Sequence, residues 1–360
     1  MARPSQALID LQALRHNYQL ARALAPNSKA LAVIKANAYG HGALPVARAL
    51  ADLAPAFAVS CTEEAMELRA GGIQQPILLM SGFFSADELV LAATHNLWLM
   101  LENQRQIDQL VAARLPGPVR AWLKVDTGMS RLGIRPEHAA TLYEILKNSP
   151  NTCGEVVLAT HFACADELDN DFTRVQIERL TAIGRKLKAP LSMANSPALL
   201  GWPESHGDWN RPGYMLYGAT PFPHPHPEAD KLIPVMTFAS RVISLRTLAN
   251  GDAVGYGATW RATSPALIAT IPVGYGDGYP RNAPSGTPVL VNGQRAQLAG
   301  RVSMDLITVD VSGLEGIVPG AEVELWGKHL RVAEVAAKAG TIGYELLTRM
   351  PARVRRVYEG

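Results

Sequence analysis

Four ionisable side chains stand against apolar runs of this chain, where a charge needs a reason. Lys35 follows LAVI, Lys124 follows RAWL, His161 closes EVVLAT, and Arg211 comes shortly before YMLY. A cation beside buried residues is costly unless it has a partner or a task. A lysine amine held in such a place can condense with a carbonyl to a Schiff base. Asp126, Asn195 and Ser196 lie beside these positions and offer acceptors and a hydroxyl. A lysine, a histidine and two further cations meeting at one point suit an anionic cofactor and a carboxylate substrate. Taken singly, each has a plainer reading as a strand-end ion pair or a solvated tip.

Other signals carry less. Gly274-x-Gly276-x-Gly278 is not a dinucleotide fingerprint, which also requires a following helix. His224 and His226 alternate with prolines and read as a solvated linker. His161 and Cys164 have no second pair to complete a zinc site, so no metal is expected. There is no Gly-x-Ser-x-Gly elbow.

The elements that must position these residues alternate. Short apolar runs at 31–35, 57–61, 76–81, 97–100, 120–125, 155–161, 191–196 and 214–218 predict strands. Amphipathic stretches such as TEEAMELRAGG and PEHAATLYEILKNS lie between them with helix-start and helix-stop residues. Eight such strands predict a parallel (β/α)8 barrel, an α/β fold whose chemistry sits at the carboxyl ends of the strands. An open doubly wound sheet is the alternative. ATPFPHPHPEAD (219–230) reads as a linker. Beyond it, runs such as ALIATIPVG and the turn dipeptides Asn250-Gly251 and Asn292-Gly293 predict a smaller, mainly antiparallel β-domain. The expected division is therefore a barrel over 1–230 and a β-rich unit over 231–360, with one helix near 332–339.

A formal charge of +2, with no run of five like charges, argues against nucleic acid as a partner. Nothing approaches 18 uninterrupted apolar residues, so no membrane association is expected. Three cysteines without a Cys-x-x-Cys pair suit free thiols, and with no signal-like start the expected location is cytoplasmic.

AVIKANAYGHG (32–42) resembles the cofactor-lysine signature of the alanine racemases. LKVDTGMSRLG (123–133), ATHFACADE (159–167), ANSPALLGWP (194–203) and RPGYMLYG (211–218) resemble further blocks of that family, in order and with similar spacing. VGYGATW (254–260), GYGDGYPR (274–281) and GRVSMDLITVDV (300–311) continue the resemblance. It implies a barrel followed by a β-domain and pyridoxal 5'-phosphate as cofactor. It also implies an isomerase that interconverts L- and D-alanine by a two-base mechanism. A head-to-tail homodimer with shared active sites is implied by the resemblance alone.

Residue by residue, the resemblance implies that Lys35 carries the cofactor as a Schiff base and is one catalytic base. Tyr256 would be the other, reaching in from the partner subunit. Two bases on opposite faces of one carbon are what racemisation needs. A phenol is a poor base at neutral pH, and the family suggests His161 and Arg211 as the cations that lower its pKa. Arg211 would face the pyridine nitrogen, where an arginine cannot accept a proton. Arg131 would bond the cofactor's phenolic oxygen and the substrate carboxylate. Lys124 matches a lysine that is carbamylated in many members and then orients Arg131.

Tyr39, Asn195, Ser196 and Tyr344, with the backbone amides of Gly213 and Tyr214, match the remaining cofactor contacts. Tyr214 replaces the small aliphatic residue common at its position. Met304 and Asp305 resemble partner-chain residues near the substrate carboxylate. Tyr275, Arg281 and Arg301 resemble an entry corridor, and Asp166 an inner gate. Two competing readings are a racemase of broader specificity and a non-catalytic cofactor-binding protein. The second has only a barrel, whereas this chain has a further unit carrying Tyr256. A decarboxylase on the same barrel would place a carboxylate where Arg211 stands.

Overall fold

In the computed structural model, which describes residues 3–360, the chain opens with strand β1 (Gln6–Asp10). Asp10 then caps the helix Leu11–Leu24, its carboxylate accepting from the Ala13 amide at 2.9 Å. Ala13, Leu14, Asn17, Tyr18 and Ala21 recur at helical spacing and make that helix's buried face. There follow β2 (Lys29–Ala30), β3 (Ala32–Val33), β4 (Phe57–Val59), β5 (Ile77–Leu79), β6 (Leu97–Leu101), β7 (Ala121–Lys124), β8 (Val157–Ala159), β9 (Leu191–Ser192) and β10 (Trp209–Asn210). All of their pairings are parallel, with helices between most of them.

β2 and β3 are halves of one strand interrupted at Leu31. β2 pairs with β10 and β3 with β4, so the two edges of the sheet meet on the same strand and the barrel closes with eight. The Leu31 amide donates to Asn210 O and the Ala32 amide to Ala56 O, which marks the hand-over. β4, β5 and β6 are buried at every residue, which is why their sequences show no polar alternation. Trp98, Trp122 and Trp209 pack together near the amino-terminal ends of their strands, with ring centroids 5.5–6.4 Å apart. The chemistry is left to the opposite end.

The expected strand at 214–218 is instead a 3-10 helix, Tyr214–Tyr217. The eighth strand lies just before it at Trp209–Asn210. Pro212 has no amide proton to continue the ladder, although its carbonyl still accepts from Val33.

After the barrel come β11 (Met236–Arg241), β12 (Ser244–Leu248), β13 (Ala253–Val254), β14 (Trp260–Arg261), β15 (Ala266–Ile271), β16 (Pro288–Val291), β17 (Gln294–Leu298), β18 (Ile307–Asp310), β19 (Glu322–Trp326) and β20 (Arg355–Glu359), most of them in a second sheet. Its order is β12-β15-β18-β17-β16-β19-β11-β1-β20, while β13 and β14 form a separate hairpin. Only the pairing of β1 with β20 is parallel among its neighbours. Asn292 and Gly293 both take positive φ in the turn joining β16 to β17.

One correction concerns the first residues. The expected unit 1–230 includes β1, yet β1 pairs with β11 and β20 and belongs to the second sheet. Ala7 and Ile9 are buried while their neighbours are half-buried, the alternation of a strand with one covered face. Asn17 ties the segment after the barrel to the first helix. Its amide donates to Leu216 O and Ile233 O, and its Oδ1 accepts from Ile233 N at 2.9 Å. Among the described residues no helix is long and apolar enough to cross a membrane.

Gly218 closes the Tyr214–Tyr217 turn at φ +77°, and a Cβ there would overlap the Ile233 carbonyl. Gly218→Ala should therefore cost at least ~2 kcal/mol, from left-handed strain and backbone displacement together. Gly313 has ordinary φ and open space around it, so Gly313→Ala should stay within ~0.5 kcal/mol. Denaturant midpoints of the two variants check this.

Candidate active site

Lys35 leaves the barrel directly after the fully buried Ile34. The backbone then does something unusual for residues that carry a Cβ. Ala36, Asn37, Ala38 and Tyr39 all hold φ between +51° and +53°, a full left-handed turn without a glycine. Each such residue costs ~1–2 kcal/mol, so the turn persists only where its surroundings hold it. The Ala38 amide donates to Ile34 O at 2.9 Å and the Gly40 amide to Ala36 O at 3.1 Å. Asn37 Oδ1 accepts from Ala43 N at 2.7 Å, and a Glu64 oxygen accepts from Ala36 N at 2.6 Å. His41 Nδ1 lies 2.9 Å from Tyr39 O.

The turn brings Tyr39 back inside. Its ring stacks on Tyr217 with centroids 4.8 Å apart, and its hydroxyl would meet a Cβ on Gly213 at 2.7 Å. Gly213 is therefore small because a phenol occupies the place of its side chain. Ser196 begins the short helix Ser196–Gly201, and Asn195 caps that helix by accepting from Ala198 N at 3.2 Å. Ser196 Oγ accepts from the Gly213 amide at 3.0 Å and the Met215 amide at 3.2 Å. The Gly213 amide, expected as a donor to an anion, is thus taken up within the chain. A hydroxyl loaded with two donors keeps its own proton for an outside acceptor. Tyr214 lies flat on Tyr344, centroids 3.5 Å apart, and a Cβ on Gly343 would overlap its hydroxyl. Tyr39, Ser196, Gly213, Tyr214 and Tyr344 are therefore one cluster. Asp166 lies close enough to add to the upward push on the Tyr344 phenol, after burial, Tyr214 and Tyr39.

The cations gather beside this cluster. Arg211 is 3% exposed, and its four hydrogen bonds go to the carbonyls of Ser192, Thr160 and Met193 and the Ser192 hydroxyl, at 2.6–3.1 Å. All four acceptors are neutral, and burial pulls the guanidinium down to about 10. Lys124 ends β7, and burial pulls its amine down to about 8; Glu102 opposes that, while Arg211, Arg131 and Lys35 add to it. The His161 imidazole is driven to about 3 by burial, then by Arg211, Lys124, Arg131 and Lys35. Lys35 is lowered by burial, then by Arg131 and Arg211, with Glu64 pulling the other way. His161 is thus neutral at physiological pH. Of the two cations expected to act on a tyrosine, only Arg211 carries charge.

Asp126 does not pair with Lys124. Its Oδ1 accepts from Gly128 N and Ser130 N, each at 3.0 Å, and shapes the loop that presents the exposed Arg131. Arg131, Lys124 and His161 line one narrow crevice with Met129 and Thr160. A planar anion fits this arrangement: a positive mouth, a hydroxyl with a free proton, and a glycine cradle beside two stacked tyrosines.

The other expected residues form a separate, exposed group. Tyr256 is 68% exposed on a turn bracketed by Gly255 and Gly257, both at φ +74°. Arg301 packs against Gly257, where a Cβ would meet its Nη1 at 3.4 Å. Met304 is 54% exposed, and its carbonyl accepts from Gly276 N at 2.9 Å. Tyr275 and the exposed Arg281 share one groove with Arg349. Asp305 pairs with Arg353 at 2.6 Å. Beneath them the buried Asp277 takes both Arg3 nitrogens at 2.6 and 2.8 Å, Arg353 at 3.0 Å and the Gly274 amide at 2.9 Å. Among the described residues, no hydrogen bond or ion pair joins Tyr256, Met304 or Asp305 to the barrel-mouth cations.

Sequence reasoning missed two acids. Glu64 reads as an ordinary first-turn helix residue and carries no signal of its reach to Ala36. Glu102 follows β6, and its Oε2 is buried without a hydrogen-bond partner. An acid directly after an apolar strand, as Lys35 and Lys124 are cations after theirs, was the available signal.

Lys124 makes stability depend on pH. Unfolded, it keeps its proton to about 10.5; folded, only to about 8, so folding releases a proton between those values. The resulting penalty is complete below about pH 8 and fades as pH rises toward 10.5. Lys124→Met should raise the stability of cofactor-free protein at pH 7, in carbonate-free buffer, by on the order of 3 kcal/mol. Its advantage over wild type should shrink toward pH 10.5, as read by denaturant titration across that range.

Known proteins match nearly the whole chain. The alanine racemase N-terminal domain model matches residues 9–221, and the alanine racemase C-terminal domain model matches residues 235–358. An alanine racemase of Chromohalobacter salexigens is 51% identical over 99% of this chain and 98% of its own. A catabolic alanine racemase of Pseudomonas putida is 51% identical over 99% of both chains. The crystal structure of a biosynthetic alanine racemase from Pseudomonas aeruginosa superposes with a TM-score of 0.96 at 49% identity, covering 100% of each chain.

Proposed function

Because the chain belongs to the alanine racemase family, which uses pyridoxal phosphate to interconvert L- and D-alanine, we propose that it divides the proton transfers between Lys35 and Tyr256. The barrel unit, proposed to run to residue 230 without β1, holds the cofactor. The unit from 231 onward supplies the second base.

The observation that carries this reading is the amine of Lys35, lowered by burial and two arginines at the rim of a positively charged mouth. An amine brought toward neutrality both attacks a carbonyl and accepts a proton. When bound, pyridoxal phosphate supplies an electron-withdrawing ring that acidifies the Cα–H of alanine. Tyr39, Ser196 and Tyr344 would hold its phosphate, with the backbone donor of Tyr214 and, once exchanged away from the Ser196 hydroxyl, that of Gly213, and with Asn195 supporting Ser196. Arg211 would face the ring nitrogen; even at about 10 it stays charged at neutral pH and offers only donors. His161 would pack against the ring as a neutral imidazole.

Arg131 would take the substrate carboxylate, with Met304 and Asp305 on the other side. Lys124 is proposed as a carbamate. An amine near 8 is partly neutral at pH 7.5, can attack carbon dioxide and release a proton, and then pairs as an anion with Arg131. Tyr275, Arg281 and Arg301 would line the way in, with Asp166 beside Tyr344 nearer the cluster.

Tyr256 is exposed on the β-domain, which supports a head-to-tail homodimer in which it enters the partner's site. Three free cysteines support a cytoplasmic location.

Borohydride reduction of cofactor-loaded protein should fix the cofactor on Lys35, and Lys35→Ala should lose both that adduct and nearly all racemisation. An adduct mapped to Lys124 overturns the assignment.

The shared site has its own test. Lys35→Ala and Tyr256→Ala homodimers should each be nearly inactive. Mixed and re-associated, they form heterodimers with both defects in one site and a wild-type second site. Activity per heterodimer should approach half of wild type. No recovery, with subunit exchange confirmed by mass-tagged chains, would place both bases within one chain.

A further inference from the structure

The left-handed turn after Lys35 has to be held from outside, because its own hydrogen bonds are no better than those of a relaxed turn. The Ala36 amide is where the turn begins, and its acceptor is a side chain. Glu64 Oε1 accepts from Ala36 N at 2.6 Å, and Oε2 accepts from Ser60 N at 2.7 Å. Ser60 follows β4, the neighbour of β3, after which Ile34 and Lys35 come. One half-buried carboxylate thus spans two adjacent strand ends, one oxygen to each.

Ordinary helix capping does not account for this. Glu64 is the third residue of the helix Thr62–Ala70, whose N-cap is Cys61. A capping-box glutamate would bond the Cys61 amide, whereas this one reaches past it to Ser60 and Ala36. Glu63, one residue earlier, is exposed and makes neither bond, although it sits equally well at the positive end of the helix.

The charge matters as well as the bonds. The groups acting on or acted on by Lys35 are Arg131 from the loop after β7, Lys124 at the end of β7, His161 after β8 and Arg211 after β10, while Tyr217, stacked on Tyr39, lies near Glu64. Against the cations among these, Glu64 is the acid that acts on Lys35.

We propose that Glu64 is the positioning residue of the cofactor lysine: it anchors the Ala36 amide to the end of β4, so aiming the Lys35 side chain, and sets a negative charge against its amine. The inference rests on the reading of Lys35 given above. Its test is read on the lysine itself, so failure counts against Glu64 and leaves the borohydride assignment standing.

In full-length protein freed of cofactor, the pH dependence of Lys35 acetylation can be followed by mass spectrometry for wild type, E64Q, E64D and E63Q. E64Q removes the charge, so the Lys35 profile should move to lower pH by ~1 unit. E64D keeps the charge but is too short to bridge both amides. Its profile should stay with wild type while its Kd for pyridoxal phosphate rises by ~10-fold. E63Q alters the same helix terminus and should change neither readout. Hydrogen exchange adds a test that needs no variant. Ala36 is an exposed residue, so strong protection of its amide in wild type reports the Glu64 bond. Unprotected exchange there overturns the proposal even where E64Q fails to fold. Wild-type Lys35 profiles and unchanged cofactor affinity in E64Q and E64D, with only the melting temperature lowered, would also overturn it and leave Glu64 as a helix-end residue.

Discussion

A guanidinium buried to 3% exposure and bonded only to neutral oxygens is the constraint around which the barrel mouth is arranged. Arg211 is given no carboxylate, so its field falls on its neighbours, and burial keeps that field from being screened. Burial first, and this field added to it, bring Lys124 and His161 toward or into their neutral forms and lower Lys35 with them. A protein built for stability alone would place an acid here. This one leaves positive charge for an anionic ligand to complement, and keeps its lysines close to the condition in which an amine is reactive.

The second constraint is geometric. A strand end points a side chain along the barrel axis but does not fix its rotation. The left-handed turn at Ala36–Tyr39 supplies the missing restraint at an energetic cost that ordinary right-handed helix would avoid. What offsets that cost lies in several elements: Asn37 to Ala43, Glu64 to Ala36, and the Tyr39 ring against Tyr217. The same turn delivers the Tyr39 hydroxyl to Gly213, so the lysine and the anion cradle are positioned by one short segment.

The β-domain solves a different problem, holding exposed residues still. Tyr256 stands on a turn that two positive-φ glycines define, and Met304 and Tyr275 sit over a salt-bridge core. Asp277 is buried, whereas Arg3 and Arg353 are partly exposed, so the carboxylate is held at both oxygens from opposite ends of the chain. In the proposed head-to-tail homodimer this exposed group would enter the partner's site.

Much of this was legible before any coordinates. Apolar runs interrupted by helices imply a parallel α/β fold, a barrel or an open doubly wound sheet, because strands buried on both faces need helices outside them; that physics is local and survives in the sequence. The cations that follow LAVI and RAWL were equally visible, since a charge there needs a function, a partner or a way out to solvent. Tertiary structure alone decided the rest. Periodicity could not show that 214–218 turns into a 3-10 helix, because Pro212 acts by removing one ladder bond. Nor could it show that β1 crosses into the second sheet, since pairing partners are chosen by packing hundreds of residues away. The left-handed turn is invisible in KANAY because only Asn37 is of a type that favours such φ, and then singly, while the two alanines and the tyrosine carry no mark of it. Glu64 looks like any first-turn acid until the fold brings Ala36 within 2.6 Å of its carboxylate. Residue type is written in the sequence, but a charge's burial and its neighbours are set by the fold, and it is burial first and then those neighbours that bring Lys124 to about 8 and His161 to about 3.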